Sequence, residues 1–149
     1  EESEFGHNGE AELVTRLRES GSDLISLVAI RQGQMAGHVM FSAAEIRTDE
    51  GTTSGFGLAP VSVAPERQRK GIGSALITEG LAQLRSAGCP FVVVIGDPAY
   101  YGRFGFEPAS QWELQHSFSG IPQQYLSIHW LDSSPLMSGT VHYHAAFDG

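Results

Sequence analysis

The most regular pattern of apolar and polar positions lies in the middle of the chain, over residues 71–87. The apolar residues there recur at helical spacing and form one stripe: Ile72, Leu76, Ile77, Leu81 and Leu84. Gly88 is a typical C-terminal stop, and Pro90 prevents the helix from continuing. The pattern predicts a helix over 71–87. The run Phe91–Ile95 that follows is continuously apolar, which is typical of a strand buried on both faces.

Three more strands are predicted before this helix, from aliphatic density and from alternation. They span residues 24–30, 35–46 and 56–63, and Pro65 ends the last of them. A strand, a long helix and a buried strand in this order form a βαβ unit, whose two strands run parallel.

The remaining segments show weaker patterns. Residues 10–20 carry apolar residues at helical spacing, which predicts a short helix. Residues 47–55 are polar and contain glycine, which predicts a surface loop. We expect a short helical turn after Asp97-Pro98 that ends at Gly105. Weak strand patterns follow near residues 112–115, 125–130 and 140–147.

Size and composition favour one globular domain over residues 1–149. Hydrophobic residues make up 41% and charged residues 17%, a balance that argues against intrinsic disorder. No apolar run approaches the roughly 20 residues of a membrane-spanning helix. The single Cys89 excludes an internal disulfide framework and indicates a reducing cytoplasm. The net charge of −8 disfavours nucleic-acid partners and suits a cationic acceptor such as an amine, although solubility alone also explains it.

Residues 61–74 hold the pattern with the clearest chemistry. A strand ends near Pro65, a basic loop follows, and the long helix begins. This order gathers backbone N–H groups at a helix N-terminus, which is a typical site for phosphates. Gly71 and Gly73 lack Cβ atoms, so the backbone can turn sharply and a ligand can approach closely. The loop adds positive charge through Arg67, Arg69 and Lys70.

Two blocks in the chain carry a family resemblance. The first is Val63-x-Pro65-x-x-Gln68-x-x-Gly71-Ile72-Gly73, and the second is Tyr100-Tyr101-x-x-x-Gly105-Phe106. They resemble the acetyl-CoA signature (Gln/Arg-x-x-Gly-x-Gly/Ala) and the Phe-Tyr-x-x-x-Gly-Phe block of the GNAT superfamily of N-acetyltransferases. The longer string from Gly96 to Phe106 is closest to a bacterial branch of predicted acetyltransferases. The clear likeness covers residues 24–108.

The resemblance implies an α+β fold with a mixed, mostly antiparallel central sheet, a splayed pair of parallel strands and flanking helices. It implies acetyl-CoA as cosubstrate and no metal. The pyrophosphate would lie on the N–H groups of residues 68–74, and the pantetheine arm would pair with residues 61–63. The cofactor-binding residues it implies are Val61, Ser62, Val63, Gln68, Arg69, Lys70, Gly71, Ile72, Gly73, Ser74 and Tyr101. The family's first strand and helix are expected to be partly missing from this chain.

The implied reaction needs a neutral amine, an oxyanion donor and a proton for the leaving thiolate. An alkyl ammonium has a pKa near 10, so a base is required at neutral pH. The candidate bases are Glu45, Glu66, Asp97 and His38. Glu45 is favoured because the family often has acceptor-side groups near the end of that strand. By resemblance Tyr101 protonates the thiolate, with Tyr100 as the alternative, and a backbone N–H near Val63 is the oxyanion donor.

Several interpretations stay open. The leading one is an N-acetyltransferase in which a primary amine of a small molecule or peptide attacks acetyl-CoA directly in a ternary complex. A second is a non-catalytic acyl-CoA-binding sensor. A third is a dinucleotide-dependent oxidoreductase, although the third glycine and the later acidic residue of that motif are missing.

Other features bear less on function. His142 and His144 share one face of a predicted strand, but no other ligand type accompanies them, so packing is favoured over metal binding. The aromatic residues Trp112, Phe118, Tyr125 and Trp130 fit a core better than an acceptor pocket. We expect no membrane partner, and a homodimer would use the C-terminal strands.

Overall fold

The computed structural model describes residues 12–17, 24–31, 33–58, 62–63, 71–131 and 135–143. In chain order the elements are β1 (Glu12–Leu17), β2 (Leu24–Arg31), β3 (Gln34–Thr48), β4 (Gly51–Leu58), β5 (Ser62–Val63), α1 (Ile72–Ser86), β6 (Phe91–Ile95), α2 (Pro98–Tyr101), β7 (Glu107–Pro108), β8 (Leu114–His116), β9 (Leu126–Trp130) and β10 (Gly139–Tyr143). The chain divides into two compact units, Glu1–Phe41 with Ala59–Ala82 and Ser42–Leu58 with Gln83–Gly149. The single domain over 1–149 stays a prediction.

The first unit contains a sheet of β1, β2 and the first part of β3, with β5 on β3. β1 pairs antiparallel with β2 along its whole length, from Glu12 opposite Ile30 to Leu17 opposite Ile25. The predicted helix over 10–20 is therefore wrong, because residues 12–17 form a strand. Short isolated helices are marginal in water, so helical spacing over so few residues yields to a complete ladder of hydrogen bonds with β2.

The predicted long helix is confirmed as α1, which covers residues 72–86. In the first unit its predicted stripe is buried, with Leu76 and Ile77 fully inaccessible to solvent. Phe41 of β3 is also fully buried and packs on the helix at Gly80. A Cβ atom at Gly80 would lie 2.1 Å from Phe41 Cε1, so only glycine permits this approach.

The end of α1 follows the predicted glycine stop. Gly88 has a φ of 85°, its N–H donates to the Arg85 carbonyl at 3.1 Å, and the Cys89 N–H donates to the Leu84 carbonyl at 3.0 Å. This pair of bonds is a Schellman cap, which satisfies carbonyls that the helix leaves without a partner. Cys89 is a free buried thiol whose Sγ donates to the Phe91 carbonyl at 3.1 Å.

The second unit contains the strand order β3-β4-β6-β9-β7, with β10 on β3 and β8 on β10. β4 runs parallel to β6, β10 runs parallel to β8, and the other pairs in this unit with a defined register are antiparallel. β6 is buried between β4 and β9, as the continuous apolar run predicted. The core of this unit consists of Ala44, Ile46, Phe91, Val93, Ala109, Leu114, Leu126, Ile128 and Val141.

Burial along β3 changes its parity where the two units divide. The fully buried positions are odd-numbered at Val39 and Phe41, and even-numbered at Ala44 and Ile46. Because successive side chains of a strand point to opposite faces, the two parts of β3 use different faces for burial. This explains why a strand of 15 residues shows no single clean alternation in its sequence.

Two predictions between β3 and the helix are wrong. The expected loop over 47–55 is instead a tight turn that joins β3 to β4, in which Thr48 Oγ1 accepts from the Glu50 N–H at 3.1 Å and donates to the Gly51 carbonyl at 3.3 Å. The single strand predicted over 56–63 is two strands. β4 pairs parallel with β6 as far as Leu58 opposite Val94, whereas β5 pairs antiparallel with β3.

The C-terminal strands are confirmed with shifted bounds. The pattern near 112–115 corresponds to β8, which begins after a 3-10 helix over Ala109–Trp112. The pattern near 125–130 corresponds to β9, and the described part of the pattern over 140–147 corresponds to β10. No helix in the described ranges is both long and apolar enough to cross a membrane.

Candidate active site

The start of α1, where the sequence predicts an anion site, lies in the first unit. Gly71 adopts a left-handed φ of 83°, and its carbonyl accepts the first helical hydrogen bond from the Ala75 N–H at 2.9 Å. The amides of Ile72 and Gly73 precede that bond, so the helix itself offers them no acceptor. The first turn holds no acidic side chain. An anion placed here would meet N–H groups and the positive end of the helix dipole.

The structure describes only some of the other residues that the sequence predicts to bind the cofactor. Ser62 and Val63 form β5, which pairs with His38 and Gly37 of β3. Ser74 is the third residue of α1. Outside the described residues lie Val61, Glu66, Arg67, Gln68, Arg69 and Lys70.

Tyr101 ends a short capped helix in the second unit. Asp97 caps α2 by accepting the Ala99 N–H at 3.0 Å, and Pro98 occupies the first helical position, which needs no N–H donor. A 3-10 helix over Gly102–Phe104 follows, and Gly105 ends it with a left-handed φ of 97°. The predicted helical turn is confirmed, and Asp97 is its N-cap.

The Tyr101 ring is almost completely buried among other rings. It packs edge-on against Tyr100 at 4.9 Å between centroids and against Phe106 at 6.0 Å. Burial raises the pKa of the Tyr101 hydroxyl, and the Tyr100 and Asp97 charges raise it further. The phenol is therefore fully protonated at neutral pH. Tyr100 lies closer to the surface, under the guanidinium of Arg103 at 5.1 Å.

Sequence reasoning missed two residues that lie next to this turn. The imidazole of His129 in β9 lies beside Gly105, where a Cβ atom would come 3.1 Å from it, and 5.7 Å from the ring of Phe106. Arg85, in the last turn of α1, places Nη2 3.4 Å from His129 Nε2. The only sequence signal for His129 is a polar residue inside the apolar run of β9.

Glu45 occupies the strand position that the sequence predicted, in β3 of the second unit. Its carboxylate forms an ion pair with the Arg47 guanidinium, and the residue lies opposite His142 of β10. His38 lies opposite Ser62 and is partly buried. A role for Glu45 as base therefore requires Arg47 to share or release its carboxylate.

The four aromatic residues that the sequence assigned to a core rather than to an acceptor pocket divide in the structure. Trp112, Phe118 and Trp130 pack against the core of the second unit, whereas Tyr125 is 37% exposed. Within the ranges that the structure describes, no three His, Cys, Asp or Glu side chains group closely enough to hold a metal. His142 Nδ1 lies 3.3 Å from Ser117 Oγ, and His144 is outside the described residues.

Comparison with known proteins decides the family. The profile of the acetyltransferase (GNAT) domain matches residues 2–109. The chain belongs to the GNAT family of acetyltransferases. A curated GNAT relative, the uncharacterized N-acetyltransferase YhbS of Escherichia coli, is 35% identical over 147 residues, which cover 97% of this chain and 86% of YhbS.

Two solved GNAT structures share the fold. The crystal structure of YhbS from Escherichia coli in complex with CoA has a TM-score of 0.81 and 26% identity, over 93% of this chain and 92% of that one. A GNAT acetyltransferase of Brucella melitensis in complex with acetyl-CoA has a TM-score of 0.66 and 42% identity, over 83% and 68%. The predicted family and fold class are confirmed, and the oxidoreductase interpretation is wrong.

Proposed function

We propose that this GNAT protein transfers the acetyl group of acetyl-CoA to a primary amine of a small molecule or peptide, by direct attack in a ternary complex. The observation that carries the proposal is Tyr101, a buried phenol with a raised pKa, held by a capped turn and packed rings. A binding-only sensor has no need of an acid held in this way. The CoA and acetyl-CoA in the two structural relatives support the cosubstrate.

The proposed cosubstrate site uses the residues that the family signature implies. The pyrophosphate accepts from backbone amides of residues 68–74, and the Gly71 geometry and the acid-free first turn of α1 support this. The pantetheine arm pairs with residues 61–63 as an added strand. β5 already pairs with β3 along one edge, so the arm would use the other edge.

In the proposed reaction the amine nitrogen attacks the thioester carbonyl carbon and a C–N bond forms. The oxyanion accepts from a backbone N–H near Val63. The C–S bond then breaks as the departing sulfur takes the proton of Tyr101. The nitrogen loses its proton to Glu45 or to water, and Tyr101 is reprotonated from solvent.

The pKa values constrain the timing of the proton transfer. A thiol has a pKa near 8.5 and a tyrosine a pKa near 10, so transfer from an unperturbed phenol to a free thiolate costs about 2 kcal/mol. Burial raises the pKa of Tyr101 and increases that cost. The proton therefore moves while the C–S bond is breaking, when the collapse of the tetrahedral intermediate drives the step.

Two measurements on the full chain test the proposal. Calorimetry with acetyl-CoA and with NADH measures binding, and thiol release from acetyl-CoA is then followed across alkyl amines, amino acids and peptides with a free N-terminus or lysine. We expect acetyl-CoA to bind, NADH not to bind, and at least one amine to accelerate thiol release. Binding of acetyl-CoA without thiol release for any amine would favour the sensor instead.

Cellular location is part of the same proposal. Cys89 is a free thiol buried at the end of α1, as expected for a protein that stays in the reducing cytoplasm. The homodimer through the C-terminal strands stays a prediction.

A further inference from the structure

His129 lies between the end of α1 and the turn that contains the second family block. Its imidazole is half-buried, with Arg85 Nη2 3.4 Å from Nε2 and the backbone of Gly105 directly against the ring. Gly105 of the family block has a left-handed φ of 97°, which is one reason for a glycine at this position. The structure adds a second reason, because any side chain at Gly105 would press on His129.

The contact continues from His129 to Tyr101 through one side chain. Phe106 is 3% exposed, and its ring lies 5.7 Å from the His129 ring and 6.0 Å from the Tyr101 ring. Protein interiors are packed too densely to absorb a displaced ring without moving its neighbours. Phe106 therefore contacts both rings and connects His129 to Tyr101.

The hydrogen bond with Arg85 requires one protonation state of His129. A guanidinium has only donors, so the facing Nε2 must be the acceptor of a neutral imidazole that carries its proton on Nδ1. Burial lowers the pKa of His129, the Arg85 charge lowers it further, and Glu107 of β7 opposes both. On the β6 side the residue opposite His129 is the apolar Val92.

We propose that His129 is a positioning residue for Tyr101, whose neutral imidazole supports the Gly105–Phe106 turn and whose protonation releases it. Protonation removes the acceptor for Arg85 and sets two cations side by side beneath the turn. This inference rests on the proposed acid role of Tyr101 for its effect on catalysis. The mechanical coupling itself does not depend on that role.

Nuclear magnetic resonance on the full chain tests the coupling without any acceptor. Histidine and tyrosine ring carbons are labelled, and His129→Asn and Tyr101→Phe assign the signals. We expect a His129 midpoint below pH 6.5 and Tyr101 signals that shift with the same midpoint. In His129→Asn this Tyr101 shift disappears, whereas the control His142→Asn retains it. Tyr101 signals that stay constant while His129 titrates would overturn the proposal.

Arg85→Gln provides a second variant in case His129→Asn does not fold. Removing the guanidinium should move the His129 midpoint upward and carry the Tyr101 midpoint with it. If the His129 midpoint rises while the Tyr101 signals keep their former midpoint, another group moves Tyr101 and the proposal is wrong.

A kinetic measurement links the coupling to catalysis. The ratio of wild-type kcat to His129→Asn kcat is measured from pH 8 to pH 5 with one amine, so that the titration of the amine cancels. We expect the ratio to fall about 10-fold around the His129 midpoint, with an unchanged KM ratio for acetyl-CoA. A flat ratio would overturn the catalytic part. If neither the wild-type chain nor any variant releases thiol, the proposed function is wrong. The resonance experiment alone then decides whether His129 and Tyr101 are coupled.

Discussion

The ring of Tyr101 lies so close to the backbone of Gly96 that a Cβ atom at Gly96 would come 2.6 Å from Tyr101 Cε2. Gly96 directly follows β6, and its N–H donates to the Tyr125 carbonyl at 3.0 Å. The end of the buried strand thus forms one wall of the Tyr101 site, and Phe106 forms another. This contact explains why a glycine occupies position 96, directly before Asp97.

Gly96→Ala should displace the Tyr101 ring. The added methyl overlaps a buried ring, and overpacking of this kind costs about 1–3 kcal/mol. We expect a lower melting temperature together with reduced thiol release. Gly102→Ala is the matched control in the next turn, since a Cβ atom there meets nothing within 4 Å. Equal behaviour of the two variants would contradict the contact.

Tyr101→Phe should lower kcat while acetyl-CoA still binds. General acids typically contribute about 100-fold or more, and the ring that packs on Phe106 is retained. Steady-state thiol release gives kcat, and calorimetry gives the dissociation constant of acetyl-CoA. Tyr100→Phe is the control, because that ring lies nearer the surface. Unchanged turnover in Tyr101→Phe would remove this residue from the mechanism.

Gly71→Ala should weaken acetyl-CoA binding at least 10-fold. Gly71 and Gly88 flank α1 with left-handed φ angles of 83° and 85°, and neither has an atom within 4 Å of an added Cβ. Alanine at either position costs about 1–2 kcal/mol of backbone strain. Gly88→Ala is therefore a control with matched strain, and we expect it to bind acetyl-CoA normally. Equal binding by both variants would exclude the start of α1 as the phosphate site.

Cys89 should react slowly in the native protein. Burial raises the pKa of its thiol, and backbone hydrogen bonds with Phe91 and Phe56 only partly offset this. Because the folded pKa lies above the unfolded one, the group stabilises the fold below the unfolded pKa, and this stability is lost as pH rises through the folded pKa. We expect alkylation at pH 8 to be at least 10-fold slower in buffer than in urea. Similar rates would mean that the end of α1 opens readily.

Glu45→Gln tests the predicted base. If the carboxylate takes the amine proton, kcat should fall about 100-fold with little change in acetyl-CoA binding. Arg47→Gln is the informative partner, because it frees the same carboxylate from its ion pair. Arg47→Gln should therefore keep or raise kcat. Unchanged activity in Glu45→Gln would assign deprotonation of the amine to another group or to water.

Local patterns in the sequence were sufficient to predict an element wherever the residues that set its conformation lie within that element. The stripe from Ile72 to Leu84 predicted α1, and the continuous apolar run predicted β6. Asp97-Pro98 and Gly105 predicted the bounds of the helical turn around Tyr101. In each case the residues that set the conformation are neighbours along the chain, so helix period, capping and turn chemistry identify them.

The errors lie where distant partners decide. Residues 12–17 carry helical spacing, but β2 pairs with every one of them. The polar residues after Thr48 resemble a loop, but a two-residue turn returns the chain at once into β4. Strand pairing satisfies backbone groups regardless of local propensity, so these assignments could not come from local sequence.

By itself the sequence determined the family, the glycine-bearing start of α1 and the helical turn that contains Tyr101, because each depends on motifs of fixed spacing. Only the tertiary structure decided that His129 lies beside Gly105 and that the Tyr101 ring lies against Gly96. Those contacts join residues that are far apart in the chain or in different elements. They depend on strand register and close packing, which no local pattern encodes.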